Sequence, residues 1–329
     1  MHPEIVAIGG SLGGVDAVAG LCQALPGDFP AAVCVVLHVG AKGNNLLTDV
    51  FDARSSLRVK TAADGELVRC GNVYIAPADH HLLVVDGRVR LGRGPRENMA
   101  RPSIDPLLRS VGASYGPRAI GVVLTGLLND GASGLADLKS CGGVTVVQNP
   151  RDALAADMPL GALRTGDVDY RASLDEMPAL LLDLVRREAG PAPPIPKDLL
   201  LEIDIALGTS TGAEAIRSIA DPVALSCPAC QGVLSRMHRS PPLRYRCQVG
   251  HAYTADSLVA TQEGSVDEAM RLALRVLEER AVLSGQMAEE ARRSGRLAAA
   301  QISDDAAARS REAAEVLRNA VLAREFDSP

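Results

Sequence analysis

The sequence predicts an α/β protein. A three-layer domain on a mostly parallel sheet, with an antiparallel hairpin, is followed by a small zinc-ribbon-like module and a helical tail. Three observations carry this expectation. Apolar runs of strand length at residues 5–8, 31–37 and 120–124 alternate with helical patterns, as chained strand–helix–strand units do. A CxxC pair, Cys227 and Cys230, precedes Cys247 and His251 at metal-ligand spacing. From Val266 onward, apolar residues recur at three- and four-residue steps. The 329 residues suffice for two or three domains, and with no Trp and only three Phe the core must be built from Leu, Val, Ile and Ala.

The chain opens on Ile5-Val6-Ala7-Ile8-Gly9-Gly10-Ser11-Leu12-Gly13-Gly14, then Val15, Val18, Leu21 and Leu25 at helical spacing, which reads strand, tight turn, helix. A dinucleotide fingerprint is excluded because Ser11 stands where its second glycine belongs, and a P-loop because Val15 stands where its Lys belongs. Gly9-x-Ser11-x-Gly13 fits a nucleophile elbow, in which glycines turn the chain sharply and lift a serine hydroxyl above the sheet. A serine that only caps the helix fits the same letters. A second run, residues 31–37, leads straight into His38, and a third, residues 120–124, into Thr125-Gly126-Leu127-Leu128-Asn129-Asp130-Gly131. Residues that follow successive parallel strands gather at the carboxyl edge of the sheet, so Ser11, His38 and Asp130 can converge as nucleophile, base and orienting acid. Singly, His38 also reads as a core histidine and Asp130-Gly131 as a turn.

Between these runs, helices are expected around Leu46, Leu47, Val50 and Phe51, and at residues 104–111, 135–139, 160–163 and 177–186, and strands at 73–76, 82–85, 89–91 and 144–148. Asp86-Gly87 joins two of the strands as a hairpin turn. Residues 93–102, rich in Gly, Arg and Pro, read as a surface loop whose Arg93, Arg96 and Arg101 either face solvent or meet acidic groups of a substrate.

The segments Ile8-Gly9-Gly10-Ser11-Leu12-Gly13-Gly14, Val36-Leu37-His38, Val73-Tyr74-Ile75-Ala76-Pro77, Arg101-Pro102-Ser103-Ile104-Asp105 and Leu124-Thr125-Gly126 through Asn129-Asp130-Gly131 share an order and spacing. In these, the first 190 or so residues resemble the catalytic domain of the chemotaxis receptor methylesterases (CheB type). The resemblance implies hydrolysis of glutamyl methyl esters on chemoreceptors, with serine, histidine and aspartate at Ser11, His38 and Asp130. It also implies an antiparallel hairpin at the edge of the sheet. The chain departs from the family at Leu12, at Leu37 and Val39-Gly40 around the histidine, and at Leu127-Leu128, which bears on the shape of the acyl pocket. The family carries a receiver domain ahead of the catalytic one; a first strand near Ile5 makes a stand-alone form the expectation.

Gly190-Pro191-Ala192-Pro193-Pro194-Ile195-Pro196 reads as a stiff linker, because prolines at this density cannot continue a helix. Residues 199–206 beyond it are apolar and of undecided type. The expected domains are 1–189 catalytic, 190–222 linker and connection, 223–262 ribbon and 263–329 helical tail. Cys227, Cys230, Cys247 and His251 offer three thiolates and an imidazole, a closed tetrahedral set suited to structural zinc. His238 is a less well spaced substitute. A redox CxxC leaves Cys247 and His251 unexplained, and small metal modules also lose their ion. Ribbon-like tails occur in some stand-alone members of the resembled family. Two helices are expected, from Val266 to about residue 297 and from about 305 to 324, forming a hairpin or a partner surface.

A net charge of −6 offers no field for nucleic acid, no stretch approaches 18 apolar residues, and seven scattered cysteines make no disulfide framework. Cytoplasm is the expected compartment. The expected function is a serine esterase that releases methanol from methylated chemoreceptors and extends to glutamine deamidation. Amides around Gly10, Leu12, Gly13, Gly14 or Leu127 would hold the oxyanion, no cofactor would be needed for catalysis, and a separate receiver or methyltransferase would be a partner. A catalytically quiet signalling scaffold, and an esterase or amidase of another small substrate, are the alternatives. With the ribbon in a separate domain, small-ester hydrolysis is expected to survive metal loss.

Overall fold

Strand and helix alternate from the first described strand onward: β1 (Ile5–Gly10), α1 (Gly14–Ala24), β2 (Ala32–Leu37), α2 (Asn44–Asp52), β3 (Arg58–Thr61), β4 (Asn72–Ile75), β5 (His81–Val85), β6 (Arg88–Gly92), α3 (Ile104–Tyr115), β7 (Ala119–Val123), α4 (Ala132–Ser140), β8 (Val144–Gln148), α5 (Asp157–Leu163), β9 (Tyr170–Ala172) and α6 (Met177–Leu184). The structure, a computed structural model, describes residues 2, 4–38, 44–166, 168–210 and 212–327. Val39 and Gly40, two of the departures beside His38, lie outside the described residues.

The main sheet runs β3-β4-β2-β1-β7-β8-β9 and every pairing in it is parallel. Parallel strands covered on both faces have to be apolar on both, and β1 and β2 are buried throughout. Their side chains alternate between layers. Val6, Ile8, Val33 and Val35 join the core of α1, α2 and α6. Ile5, Ala7, Ala32 and Cys34 join that of α3, α4 and α5. The strand order reverses at β1, flanked by β2 on one side and β7 on the other, and such a switch point opens a crevice at the carboxyl ends of the strands. The hairpin β5–β6 forms at Asp86-Gly87 as expected, but as a two-stranded sheet of its own rather than as an edge of the large sheet.

Beyond α6 the proline-rich segment leads into α7 (Lys197–Leu207), α8 (Ala213–Arg217) and a four-stranded antiparallel sheet of β10 (Ala220–Ser226), β11 (Val233–Met237), β12 (Arg244–Cys247) and β13 (Ala252–Thr254). The stretch of undecided type is the helix α7. It buries Leu199, Ile203, Ile205 and Ala206, and Glu202 with them. This part does not stand apart from the parallel sheet. The chain divides into the compact units Met1–Leu258 and Val259–Pro329, and the ribbon strands lie in the first.

A buried charge network joins them. Arg109 of α3 donates to Asp137 of α4 (2.8 Å) and to Glu97 (3.2 Å), and lies 3.4 Å from Glu202. Arg244 of β12 forks onto both oxygens of Glu202 at 2.8 and 3.0 Å, and Arg246 bridges Glu97 (2.9 Å) and Glu202 (2.7 Å). Three buried guanidinium groups thus meet three buried carboxylates, and the charge cancels. Burial raises the pKa of Glu202, but the charges of Arg109, Arg244 and Arg246 more than offset it and hold the carboxyl well below the usual range.

The second unit continues α9 (Ala255–Arg293) and contains α10 (Leu297–Asp327), joined at Ser294–Arg296, where Gly295 takes a positive φ. Ala281, Ser284, Ala288 and Ala291 of α9 are buried, as are Ala300, Ala307, Ser310 and Ala314 of α10. Arg318 pairs with Glu278 (2.5 Å) and Arg324 with Asp267 (2.8 Å) across the two helices. No described helix is long and apolar enough to cross a membrane.

Removing one member of a buried charge set strands its partners. Glu202→Gln should therefore cost about 3 kcal/mol or more of unfolding free energy. The loss should show in one cooperative urea transition that carries signals from both the ribbon and the parallel sheet. Separate transitions, with the sheet unaffected, would contradict the lock.

Candidate active site and metal centre

The register of the central strands brings the expected site residues together. Gly10 pairs with Leu37, so Ser11 and His38 each stand one step past the same rung of adjacent strands, and His38 N–H still donates to Gly10 O (3.2 Å). On the other flank Ser11 N–H donates to Thr125 O (2.9 Å), which ties the serine to the segment after β7. Gly13, at φ 78, begins α1 without any side-chain cap, so Ser11 does not serve as the helix cap. A Cβ on Gly126 would lie 2.8 Å from the Ser11 Cβ, so only glycine lets the β7 segment pass this close.

Thr125 is the fastener of this elbow. Its Oγ1 donates toward Leu12 O (2.9 Å) and accepts from Ala155 N–H (2.9 Å), while its own N–H donates to Gln148 Oε1 (2.8 Å). Of the amides near the serine, Gly14 N–H is engaged by Ser11 O (2.8 Å) and Gly126 N–H by Ala155 O (3.0 Å). Those of Leu12, Gly13 and Leu127 have no hydrogen-bond partner among the described residues.

His38 Nε2 hydrogen-bonds Asp130 Oδ2 at 2.9 Å, with the imidazole partly exposed and the carboxylate buried. Asp130 is gripped from several sides. The first amides of α3 point at it, Ile104 N–H at 2.7 Å and Asp105 N–H at 3.3 Å, the donor geometry that a helix N-terminus offers an anion. Ser103 Oγ donates from 2.8 Å, Gly131 N–H from 3.0 Å and Asn98 Nδ2 from 3.0 Å. Burial alone raises the Asp130 pKa. The hydrogen bond and charge of His38, with the Ile104 amide and the Asn98 side chain, more than offset it and hold the carboxyl at about 2.

Behind it Asp105 accepts from Gly131 N–H (3.0 Å), Gly134 N–H (2.6 Å) and Asn98 Nδ2 (2.8 Å). Burial and the Asp130 charge together raise the Asp105 pKa far above the carboxylate range, so a second negative charge there is disfavoured. His81 is buried between Pro95 O, 3.0 Å from its Nε2, and Ser103 N–H, 3.3 Å from its Nδ1, and burial keeps it neutral.

Sequence reasoning missed Asn98, Ser103, Asp105 and Thr125 as supports of the site. The last three lie inside segments that carry the resemblance. Asn98 lies in the stretch expected as a solvated loop, where Glu97 and Asn98 are in fact buried. Of the three arginines of that loop, Arg101 is committed to Asp79 (2.7 Å) and Gly94 O (2.9 Å), and Arg93 to His80 (3.0 Å). Arg96 is exposed and, among the described residues, has no side-chain partner. A groove beside His38 is walled by Asp79, Arg96, Met99, Arg101 and Pro102.

The second cluster forms at two turns of the ribbon. Cys227 and Cys230 sit at the β10–β11 turn, closed by Gln231 N–H to Cys227 O (2.7 Å). Cys247 and His251 sit at the β12–β13 turn, closed by Gly250 N–H to Cys247 O (2.9 Å). The four potential ligand atoms lie within 4.8 Å of one another, a set that can hold a metal ion. Cys227 Sγ and Cys247 Sγ are 3.8 and 3.5 Å from His251 Nδ1, and Cys230 Sγ is 3.6 Å from Cys247 Sγ. Burial raises the Cys227 pKa, but the Tyr253 hydroxyl and the amides of Cys230 and Ala229 pull it below its ordinary value. His238 is elsewhere, paired with Asp221 at 3.3 Å.

Residues 6–181 match the sequence profile of the family described as CheB methylesterase. Protein-glutamate methylesterase/protein-glutamine glutaminase 2 of Anaeromyxobacter dehalogenans is 39% identical over 56% of this chain and 54% of its own length. Protein-glutamate methylesterase FrzG of Myxococcus xanthus is 39% identical over 55% of this chain and 54% of its own. The chain thus spans about half the length of these curated relatives. The crystal structure of the Thermotoga maritima CheB methylesterase catalytic domain superposes with a TM-score of 0.54 at 33% identity, covering 56% of this chain and all of that one. By sequence and by fold, the chain belongs to the CheB methylesterase family.

Proposed function

We propose that this protein is a serine esterase that hydrolyses glutamate γ-methyl esters on chemoreceptor-like proteins, with Ser11, His38 and Asp130 as its catalytic triad. The observation that carries the reading is the His38–Asp130 bond of 2.9 Å, one strand step from a serine held in a glycine elbow. With Nε2 committed to Asp130, Nδ1 is the imidazole nitrogen left to take the Ser11 proton. The serine oxygen then bonds to the ester carbonyl carbon, and the oxyanion falls to the free amides of Leu12, Gly13 and Leu127 rather than to the engaged Gly14. The imidazolium returns its proton to the leaving oxygen, methanol departs, and water cleaves the acyl-serine to give glutamate. The same steps release ammonia from a glutamine side chain, the second activity in the name of the Anaeromyxobacter relative. Arg96, exposed on the groove beside His38, is the cation suited to acidic groups that neighbour the substrate glutamate.

For the ribbon we propose zinc. A tetrahedral ion with bonds of about 2.3 Å to sulfur and 2.0–2.1 Å to nitrogen sets S···S and S···N separations of about 3.8 and 3.6 Å. The observed separations of 3.5, 3.6 and 3.8 Å agree with these. Four protein ligands leave no open position, so the ion would be structural. The cytoplasm, where thiolates stay reduced, suits such a site.

Ser11→Ala, His38→Ala and Asp130→Ala should each lower methanol release from methylated receptor fragments on the order of 10³-fold or more, and combining them should cost little extra. A folded single variant with normal turnover would remove its residue from the triad. Purified protein should carry one zinc, lost in Cys247→Ser; elemental analysis finding no metal in the reduced wild type would exclude it. The acid limb of stability provides a third check. The folded Asp130 pKa of about 2 lies below an unfolded value of about 3.9, so the ionised form adds roughly 2.5 kcal/mol above about pH 4. That stability is lost as the pH falls toward 2. Asp130→Asn should flatten the urea midpoint over this window, whereas parallel decline in variant and wild type would refute the assignment.

A further inference from the structure

The ribbon and the His38–Asp130 pair meet in one residue. Asn98 takes a positive φ of 48, a conformation open to asparagine and glycine, and so turns its backbone and its side chain to different neighbours. Toward the ribbon, Asn98 N–H donates to Ala252 O (2.8 Å) and Asn98 Oδ1 accepts from Thr254 N–H (3.0 Å). Toward the site, the two protons of Asn98 Nδ2 are directed to the two buried carboxylates, Asp130 Oδ1 at 3.0 Å and Asp105 Oδ2 at 2.8 Å. Of these four hydrogen bonds of Asn98, two depend on β13 and two reach the buried carboxylates. That strand begins at Ala252, the residue after His251, and Ala252 N–H itself donates to Arg96 O (3.2 Å).

A second tie runs beside the first. Asn129, the neighbour of Asp130, accepts from Thr254 Oγ1 (2.5 Å) and Ser257 Oγ (2.9 Å), and its own amide donates to Asp256 (3.0 Å). The turn that carries Asp130 is thus held on both sides by the three residues and helix start that follow the Cys247–His251 knuckle.

We propose that Asn98 is a positioning residue through which the ribbon's Cys227, Cys230, Cys247 and His251 cluster controls the His38–Asp130 pair, making esterase turnover depend on an intact metal knuckle. This deepens the functional reading and rests on it. It also reverses the expectation, drawn from the sequence, that small-ester hydrolysis is indifferent to the ribbon. Opening the knuckle frees β13, β13 is what aligns Asn98, and without Asn98 two buried carboxylates lose a shared donor. The catalytic step this changes is proton transfer, through the orientation of the base.

The test uses the full chain, zinc-loaded and after removal of zinc by a chelator, with p-nitrophenyl acetate turnover, fluorophosphonate labelling of Ser11 and amide hydrogen exchange. Asn98→Gly keeps the positive φ and the backbone donor while removing only the side chain. It should lower kcat about ten-fold with little change in KM. Chelation should lower kcat of the wild type by at least a similar factor, and by a clearly smaller factor in Asn98→Gly, because the part of its effect that runs through the Asn98 side chain is already lost there. If Asn98→Gly folds poorly, the chelation response of the wild-type chain, in kcat and in exchange at Ile104 and Asp105, decides. Chelation should also speed exchange at the amides of Asn98, Ala252 and Thr254, and at Ile104 and Asp105 beside Asp130.

Unchanged kcat and unchanged exchange at Ile104 and Asp105 after proven zinc loss would overturn the proposal. So would chelation and variant effects that simply multiply, or a chain that takes up no zinc. A protein that labels at Ser11 and responds to chelation, yet releases no methanol from methylated receptors, would refute the substrate reading and leave this one standing. If Ser11 does not label at all, the exchange at Ile104 and Asp105 still decides.

Discussion

The ionised, buried carboxylate of Asp130 sets the terms for everything around it. An anion taken out of water is costly unless donors replace the water, and here donors arrive from His38, Asn98, Ser103, Gly131 and the first amides of α3. Each of those groups is in turn fixed by something else. Ser103 is held through His81, and Asn98 through β13. The site is therefore a consequence of where α3 begins, and that beginning is set by packing of Ile104, Leu107 and Leu108 against the sheet.

The ribbon is held to this frame by a buried charge network beside a small apolar contact, where Ala220 and Met237 meet Ile205 of α7. Its own apolar cluster is small, with Cys227, Leu234, Cys247, Tyr253 and Leu258 as the buried members. A module of that size needs a staple. The pairs of Arg244 and Arg246 with Glu97 and Glu202 supply directionality, since a planar guanidinium accepts only a narrow range of approach. Buried ion pairs add little net stability over an apolar contact of the same shape, but a shifted register would leave charges unpaired. Specific docking of β12 is what the network provides.

The parallel sheet and the placement of Ser11, His38 and Asp130 at one edge of it were legible because both are written locally. A strand run ending in glycine, a histidine directly after a second run and an Asp-Gly after a third are adjacent-letter signals, and parallel topology alone brings them to one edge. The supports were not legible, because their meaning depends on distant partners. Glu202 stands at a buried position of α7, where a charge breaks the apolar pattern. Only Arg109, Arg244 and Arg246, from segments far away in the chain, make it acceptable. The same holds for residues 93–102, whose polar letters suggested solvent although Glu97 and Asn98 are core residues. The proline-rich segment was legible as extended chain; that the ribbon beyond it would return to the active-site turn was not.

A module joined through hydrogen bonds to the turn that carries Asp130 has a different physical status from one tethered by a linker. In a tethered module, loosening the ribbon changes only where it can reach. Here Thr254 and Ser257 hold Asn129, while the backbone of Ala252 and Thr254 holds Asn98, so any opening of β13 withdraws support from both sides of Asp130 at once. Thr254 is also the last residue before α9, and its Oγ1 accepts from Ser257 N–H in the first turn of that helix. The start of the long helix and the support of the turn that carries Asp130 are thus one set of hydrogen bonds, and neither can be rearranged without the other.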